Sequence, residues 1–450
     1  MMKPLSAGVR ARLFFYNIFF PFVLAWMLPA LALRLMRRGN YQRKFGQRFG
    51  VFDSKVRVRI SSRKWTWIHS ISVGETVLAL KLARKMKERD PSLRVVLSVT
   101  TSTGFALAEQ QHQQSAADWM EVIYNPIDIA PIVRRALDLV KPQRLIFIEA
   151  IWPNLLAQTK LCGAPMFLIA RLSPRSAARF RRFRFLTGAL FRLLDTICVQ
   201  DRDDAARWLL LGAREAQIHV TGSIKYDHAP SPPSPRVEEF RALLRSLGVK
   251  ENAPVLLAGS TFPGEERILA QVYRKLREKF PDLFLVIVPR HVERTDEAAA
   301  DVLAAGLSFA LRTAIASDSN AATPRSQPRA DCLIVNTTGE LRDWYHVATV
   351  VFIGKSLTSV GGQNPVEAVA AGKPVIFGPH MENFRGIVAQ WLARDAAVQV
   401  ADAVALKSEI ESLLGESARR DALAARAREI AAAHEGATER VARLILKSAL

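Results

Sequence analysis

Residues 361–367 read Gly-Gly-Gln-Asn-Pro-Val-Glu, and residues 372–380 read Gly-Lys-Pro-Val-Ile-Phe-Gly-Pro-His. The paired glycines carry no side chain, so their backbone N–H groups can approach a ligand closely. Asn364-Pro365-Val366-Glu367 predicts the start of a helix, whose N-terminal amides attract an anion such as phosphate. A carboxylate one turn into that helix can accept hydrogen bonds from ribose hydroxyls. With a buried strand predicted from Pro374 to Phe377, the two runs indicate a nucleotide site on an α/β scaffold.

Strand-like and helix-like runs alternate on both sides of these residues. One clear helix is predicted from Glu75 to Arg89. This alternation is typical of parallel sheets with right-handed crossovers. The other predicted strands are Trp65–His69, Arg94–Val99, Leu145–Glu149, Met166–Ile169, Val255–Ala258, Leu283–Val288, Cys332–Val335 and Val350–Ile353.

A proline-rich segment from His228 to Pro235 marks the clearest domain boundary. Its four prolines exclude a helix or a central strand. We therefore predict three regions: a membrane anchor with a basic flank (1–42), a first Rossmann-like domain (43–228) and a second Rossmann-like domain (229–450). Because ligands bind at the carboxyl ends of strands in open α/β sheets, the site is expected in a cleft between the two domains.

The N-terminal segment Leu13–Leu33 carries no charged residue and is about long enough to span a bilayer. Six basic residues follow it between positions 34 and 48, against three before it, so the positive-inside rule places the main body in the cytoplasm. A signal peptide is the main alternative, but it would need a shorter apolar core and a cleavage site. A soluble core helix is the other alternative, and the charge-free length favours an uncleaved anchor.

The chain has 450 residues and a formal net charge of +21, which suggests an anionic partner. Nucleic acid is not expected, because no nucleic-acid-binding motif is present. Anionic lipid and a phosphorylated substrate remain, alongside a merely solvated basic surface. The three cysteines lie far apart in apolar surroundings, which indicates reduced thiols, and no Cys/His spacing suits a metal.

Three residues of the first domain are candidates for chemistry. Glu75 follows the first strand, where an ionised carboxylate could act as a general base; the alternative is a helix cap. Lys225 follows a later strand, where it could neutralise a leaving phosphate; the alternative is a surface lysine. Arg171 begins a strongly basic cluster, which is either a solvated helix face or a site for phosphorylated lipid. The other arginines of this cluster are Arg175, Arg179, Arg181, Arg182 and Arg184.

Candidates in the second domain also follow predicted strands, which strengthens each of them. Ser260 lies in a small, hydroxyl-rich turn that suits a phosphate, and Arg290 can bind an anion with two hydrogen bonds. Thr338-Gly339-Glu340 would bring a backbone turn and a carboxylate beside a nucleotide. Taken singly, each is an ordinary strand-to-helix turn.

From about Arg43 onward, the chain resembles the 3-deoxy-D-manno-octulosonic acid (Kdo) transferases of lipopolysaccharide synthesis. The resemblance implies a GT-B fold and metal-independent, inverting transfer of Kdo from CMP-Kdo to a lipid A precursor at the cytoplasmic face of the inner membrane. No cofactor is implied. The motifs that carry the resemblance are Ser72–Glu75, Trp152–Asn154, Ala170–Ser173, Ala258–Thr261, Val288–His291, Thr338–Leu341 and Gly361–Glu367.

The resemblance also implies roles for individual residues. Glu75 matches the proton acceptor of the family, and Lys225 its transition-state stabiliser. The segments that match its CMP-binding residues are Pro289-Arg290, Thr338-Gly339-Glu340 and Asn364-Pro365-Val366-Glu367.

The chain departs from the family around Glu149. The usual pair of glutamates before Trp-Pro-Asn is replaced by Ile148 and Ala150, with Glu149 between them. Either Glu149 replaces the pair through a local shift, or the second stabilising carboxylate is absent. Two other readings stay open: a related GT-B transferase with another donor or lipid acceptor, and a membrane-anchored paralogue that has lost turnover.

Overall fold

The computed structural model describes residues 4–38, 44–61, 63–114, 118–172, 174–182, 184–227, 233–317 and 330–447. The chain divides into two compact units. The first comprises Met1–Asp227 and Gly436–Leu450, and the second comprises His228–Glu435. The predicted anchor boundary at 42/43 and residues 228–232 of the predicted linker lie outside the described residues.

The first unit is a seven-stranded parallel sheet in the order β3-β2-β1-β4-β5-β6-β7. Its strands alternate with helices, as the sequence predicted. The elements are α1 Ala7–Arg38, α2 Ser54–Ser61, β1 Thr66–Ser70, α3 Val73–Arg89, β2 Val95–Val99, α4 Ser102–Gln114, β3 Met120–Tyr124, α5 Ala130–Val140, β4 Arg144–Ile148, α6 Pro153–Leu161, β5 Met166–Ile169, α7 Pro174–Arg182, α8 Arg184–Phe191, β6 Thr196–Val199, α9 Arg202–Leu210 and β7 Ile218–Val220.

The second unit is also a seven-stranded parallel sheet, in the order β10-β11-β9-β8-β12-β13-β14. The elements are α10 Arg236–Ser246, β8 Val255–Thr261, α11 Glu265–Arg277, β9 Phe284–Pro289, α12 Thr295–Ala304, β10 Phe309–Leu311, α13 Arg312–Ser317, β11 Cys332–Ile334, α14 Leu341–Val347, β12 Val350–Ile353, α15 Val366–Ala370, β13 Val375–Phe377, α16 Arg385–Ala393, β14 Val398–Gln399, α17 Ala403–Gly415 and α18 Ser417–Ala432.

One boundary differs from the sequence-based division, which assigned 229–450 to the second domain. The chain returns to the first unit at Gly436, and the last helix, α19 (Ala437–Lys447), packs on α3. The apolar stripe of α19, including Val441 and Ile445, lies in the same buried cluster as Leu80 of α3. Burial of that stripe explains the return, because an amphipathic helix is stabilised mainly by the face it buries.

The central strands are buried on both faces, which is why they read as continuous apolar runs. In each sheet all strands are parallel, so their carboxyl ends lie along one edge. That edge carries the polar turns singled out in the sequence, and it is where ligands bind in open α/β sheets.

Helix α1 is unusual because most of the apolar side chains described in it, up to Trp26, are exposed. Ala7–Trp26 is long and apolar enough to cross a membrane, judged by length and composition. Within its most apolar stretch, 6% of the residues are buried. Phe22 and Trp26 are 71% and 83% exposed. The side chains beyond Trp26 in this helix are not described.

Candidate functional site

Glu75 lies in the first turn of α3, just past the end of β1. Its Oε1 accepts a hydrogen bond from Ser72 Oγ (3.2 Å) and its Oε2 from the Ile71 N–H (2.6 Å), while Ser72 Oγ accepts from the Glu75 N–H (3.3 Å). This is a capping box, so the structural alternative for Glu75 is present. The Ser72 backbone also hydrogen-bonds this carboxylate. Since a carboxylate accepts about four hydrogen bonds, one position remains for another partner. Burial raises the pKa of Glu75, and the nearby charge of Glu149 raises it further.

Glu149 follows β4 in a left-handed backbone conformation (φ 62°). Its N–H still pairs with Ile169 O of β5 (2.8 Å), and the next N–H, of Ala150, turns back to Ile148 O (2.8 Å). In a regular strand, alternate side chains point to opposite faces, and the left-handed residue breaks this alternation at the strand end. Ile148 is buried, whereas Glu149 is exposed at the carboxyl edge, where its charge acts on both Glu75 and Lys225.

Lys225 lies in the loop Thr221–Asp227 that follows β7. Burial lowers the pKa of its ammonium, the charge of Glu149 raises it, and the charge of Arg171 lowers it. Arg171 is exposed at the end of β5 and donates from Nη1 to the hydroxyl of the buried Tyr226 (3.2 Å). At this edge of the first sheet, the charge of Glu149 therefore acts on Glu75 and Lys225, and the charge of Arg171 acts on Lys225.

Lys81, which the sequence analysis did not single out, holds this loop in place. Its Nζ donates to the carbonyl oxygens of Ile224 (3.1 Å) and Asp227. Lys81 is on the same helix as Glu75, so α3 fixes the positions of both the carboxylate and the loop that carries Lys225.

The other end of the loop is tied to the C-terminus. The Asp227 carboxylate accepts from the N–H groups of Gly436 and Thr438 (2.7 Å each), at the start of α19. Arg440 Nε donates to Thr221 O (2.9 Å).

In the second unit, Ser260 and Arg290 lie at the carboxyl ends of the neighbouring strands β8 and β9, the first within its strand and the second just after it. Ser260 sits in a bulge of β8 with φ 56°, and the N–H of Arg290 donates to Thr261 O (3.1 Å) just after β9. Pro289 is the buried last residue of β9, while the Arg290 side chain is exposed. Within the described part of the chain, no carboxylate pairs with the Arg290 guanidinium, so it is available to an anion.

Glu265, also missed from the sequence, organises the loop after β12. It is fully buried and accepts four backbone hydrogen bonds, from the N–H groups of Phe262, Lys355, Ser356 and Leu357 (2.7–3.0 Å). Lys355 has φ 58°, so this loop contains a further left-handed residue. Phe262 is the only partner of Glu265 that lies close to it in the sequence. The other three partners lie some 90 residues later, so no local pattern could indicate them.

The Asn364–Glu367 segment does begin a helix, as predicted, but the helix is short. Asn364 Oδ1 accepts from the Val366 N–H (3.1 Å), its Nδ2 donates to Glu367 Oε1 (3.0 Å), and Pro365 is the N-cap of α15. The preceding Gly361 and Gly362 have φ values of 123° and 68°. A Cβ at Gly362 would collide with Met381 and the His380 carbonyl, so packing within the unit requires that glycine. At Gly361 the nearest atom is the movable end of the Asn383 side chain, and the positive φ is what favours glycine.

Glu340, which the sequence analysis placed beside a nucleotide, is engaged by side chains of its own unit. Its buried carboxylate accepts from Arg236 Nη2 (2.7 Å), Arg312 Nε (3.2 Å) and Trp344 Nε1 (3.4 Å). The carboxylate therefore holds α14 to α10 and α13, and Thr338 and Gly339 are the exposed members of this turn.

The Trp152-Pro153-Asn154 motif links α1 to the rest of the first unit. Asn154 Nδ2 donates to Asn17 Oδ1 (2.8 Å), and Asn17 Nδ2 donates back to Asn154 Oδ1 (3.2 Å). Asp128 accepts from the N–H groups of Asn154 (3.0 Å) and Leu155 (2.9 Å) at the start of α6. Burial raises the Asp128 pKa to about 6. The motif thus serves as a docking point for the apolar helix.

The basic cluster lies on α7 and at the start of α8. Arg179, Arg181, Arg182 and Arg184 are exposed, and α8 also packs against α1. The Arg175 side chain and Ser173 lie outside what the structure describes. Among the described residues, no group of three His, Cys, Asp or Glu side chains could hold a metal ion.

Comparison with known proteins supports these assignments of fold and family. Residues 43–228 match the family model described as 3-Deoxy-D-manno-octulosonic-acid transferase (kdotransferase). The chain is 34% identical to the 3-deoxy-D-manno-octulosonic acid transferase of Bordetella pertussis, over 93% of this chain and 94% of that protein. It is 28% identical to the protein of the same name from Haemophilus influenzae, over 96% and 97% of the two chains.

Among solved structures, MurG of Acinetobacter baumannii shares the fold, with a TM-score of 0.54 and 14% identity over 86% of this chain and all of that one. Anabaena HepE gives a TM-score of 0.51 with the same identity and coverage. These similarities and the two parallel-sheet units confirm the predicted GT-B fold class. On the sequence identity across nearly its whole length, the chain belongs to the 3-deoxy-D-manno-octulosonic acid transferase family of lipopolysaccharide synthesis.

Proposed function

We propose that this protein transfers Kdo from CMP-Kdo to a phosphorylated lipid A precursor of the lipid IVA type, with inversion at the anomeric carbon. Membership of the Kdo transferase family supports the transferred sugar. The observation that carries the mechanism is the electrostatic coupling of Glu75, Glu149 and Lys225 at one edge of the first sheet.

Glu75 is the general base of this proposal. The acceptor hydroxyl oxygen attacks the anomeric carbon of Kdo, a new C–O bond forms, and the hydroxyl proton passes to the Glu75 carboxylate. A pKa raised by burial makes Glu75 a stronger base than a solvated glutamate, provided that it is ionised. Its capping bonds fix the carboxylate while leaving one acceptor position free.

Lys225 stabilises the departing group. As the bond between the anomeric carbon and the phosphate oxygen breaks, the electron pair leaves with CMP and negative charge grows on the phosphate. A half-buried ammonium is effective here, because a charge aimed at the developing charge interacts more strongly away from bulk water. Glu149 keeps Lys225 protonated, which gives it a role even without the usual second glutamate.

The carboxyl edge of the second sheet would hold the nucleotide. Arg290 and the turn at Ser260 suit the phosphate, while Pro289, Thr338, Gly339 and the Asn364–Glu367 segment would line the nucleoside. Glu340 would support its turn through Arg236 and Arg312 without touching CMP.

The acceptor would be reached at the cytoplasmic face of the inner membrane. Helix α1 presents exposed apolar side chains, and the exposed arginines of α7 and α8 suit lipid phosphates. We propose that α1 anchors the enzyme and that Arg171 and the neighbouring basic cluster contact the phosphorylated acceptor.

Mass spectrometry tests the proposal directly. The full chain, in detergent, is incubated with CMP-Kdo and a tetra-acylated, bis-phosphorylated lipid A precursor, and we expect a product heavier by Kdo. Its absence with a correctly folded protein would favour a paralogue without turnover. Stabilisation against thermal unfolding by UDP but not CMP would point to another donor.

A variant pair tests the base. Glu75→Gln keeps a residue that can complete the capping box but cannot take the proton, so turnover should fall about 100-fold or more. Glu88→Gln removes an exposed carboxylate of the same helix and should change little. Transfer by Glu75→Gln at the unmodified rate would exclude Glu75 as the base.

A further inference from the structure

A separate cavity lies at the opposite edge of the second sheet, where β8, β12 and β13 begin. It has a volume of about 370 Å³, and its wall includes Val255, Thr349 and Pro374, next to the first residues of these strands. Val255 at this edge and Ser260 in the turn are five residues apart along β8, a distance of about 17 Å at 3.3 Å per residue. The cavity is therefore distinct from the proposed nucleotide site.

The wall of the cavity carries more positive than negative charge. Five basic side chains, Arg241, Arg245, Lys250, Lys373 and Arg420, face two acidic ones, Glu251 and Asp421.

Three of the basic groups are engaged elsewhere. Arg245 pairs with Glu238 (2.9 Å), and Lys250 pairs with Asp282 (2.8 Å). Arg420 donates to carbonyl oxygens at the end of α17. Arg241 makes a looser pair with Glu238, at 3.5 Å. Lys373 and Arg241 are consequently the cations with most capacity for a new partner.

Lys373 has no acceptor for its ammonium group within the part of the chain that the structure describes. Burial lowers its pKa, and the charge of Arg241 lowers it further. The ammonium is not needed to cap α15, because the N–H groups of Gly372 and Lys373 already donate to Val369 O and Ala368 O. A half-buried cation without a counter-charge is costly unless a ligand supplies one.

His346 adds a polar group to the same wall. Burial lowers the pKa of its imidazole, and so do the charges of Lys373, Arg342 and Arg241, against the opposing effect of Asp343. These effects favour the neutral ring, which can share a hydrogen bond with a bound ligand.

We propose that this cavity is an anion site for a phosphate group, held by Lys373 and Arg241 with His346 in its wall. The volume is within the range of small-molecule sites, and a phosphate would supply the counter-charge that Lys373 lacks. Two sources share this chemistry, a free phosphate compound and the headgroup of a phospholipid. The proposal is independent of the transfer reaction.

Isothermal titration calorimetry on the full chain tests the site with two probes. Inorganic pyrophosphate represents the free source, and dihexanoyl phosphatidic acid, a soluble short-chain lipid, represents the headgroup. Each is titrated with and without excess CMP, so that binding at the nucleotide site is subtracted. Lys373→Met should weaken the binding of the preferred probe about tenfold or more, since one charge-assisted hydrogen bond is lost.

The control is Lys279→Met, which removes an equal charge from an exposed lysine paired with Glu411. It should leave the affinity unchanged, and thermal unfolding should show both variants folded. Binding that survives CMP and is lost only in Lys373→Met supports the site, and the better probe identifies its source. No binding of either probe, or an equal loss in both variants, overturns it.

A second readout locates the ligand. NMR titration of the His346 ring, assigned with His346→Gln, should show its pKa rising when the probe is bound, because an anion offsets the charges of Lys373, Arg342 and Arg241. An unchanged His346 pKa in the presence of a bound probe would place the ligand elsewhere and refute the proposal.

Discussion

Replacing Glu265 with glutamine should release the loop that follows β12. The carboxylate accepts four backbone N–H bonds, two at each oxygen. The glutamine amide keeps one oxygen, and its NH2 group then faces two N–H donors that have lost their acceptor. At about 1.5–3 kcal/mol for each hydrogen bond to a charged group, the loss amounts to about 3–6 kcal/mol. At 1.4 kcal/mol per factor of ten, loop opening becomes about 100-fold or more easier.

Hydrogen–deuterium exchange followed by mass spectrometry measures this opening. We expect the peptide that contains Lys355, Ser356 and Leu357 to exchange at least 100-fold faster in Glu265→Gln, with the core strands of the unit still protected. Glu297→Gln, at an exposed carboxylate paired with Arg294, is the matched control and should not change the loop. Unchanged protection of the loop in Glu265→Gln would refute the reasoning, and so would an equal loss across the whole unit.

Three further predictions concern the first unit. Lys81→Met should lower kcat about tenfold with little change in KM for the donor, because the loop that carries Lys225 loses two hydrogen bonds. Lys81→Arg should restore part of the rate. An equal loss of kcat in Lys85→Met, on the same helix, would contradict this role. Glu149→Gln should move both limbs of the pH–rate profile to lower pH, because the charge of Glu149 raises the pKa values of both Glu75 and Lys225. An unchanged pH–rate profile would show that Glu149 acts on neither residue. Asn154→Ala should speed hydrogen exchange in the middle of α1 through loss of the Asn17 contacts, and unchanged exchange there would mean that α1 is held by apolar packing alone.

The strands were predictable because burial on both faces leaves a continuous apolar run between polar turns. Met166–Ile169 and Val350–Ile353 agree residue for residue with β5 and β12. Strand β8 extends three residues beyond its prediction, to Thr261, because the bulge at Ser260 lets the chain continue past Gly259. The sequence predicted a small polar turn at Ser260, whereas the structure includes this residue in the strand.

Contacts between residues far apart in sequence were not predictable. Glu265 and Lys81 bond to groups about 90 and 143 residues away, and no local spacing signals such pairs. The same limit explains Glu340, since the arginines that occupy its carboxylate lie in other helices. The Glu149 turn belongs to this class too, because its left-handed backbone depends on the neighbouring strand and not on glycine.

The return of α19 to the first unit has a consequence for synthesis on the ribosome. The seven strands of that unit emerge first, but the helix that covers α3 emerges only after about 210 residues of the second unit. At about 5–20 residues per second, the apolar face of α3 around Leu80 stays uncovered for roughly 10–40 s. A nascent chain in that interval presents a binding surface for chaperones, and a ribosome that stalls before Gly436 would leave the first unit incomplete.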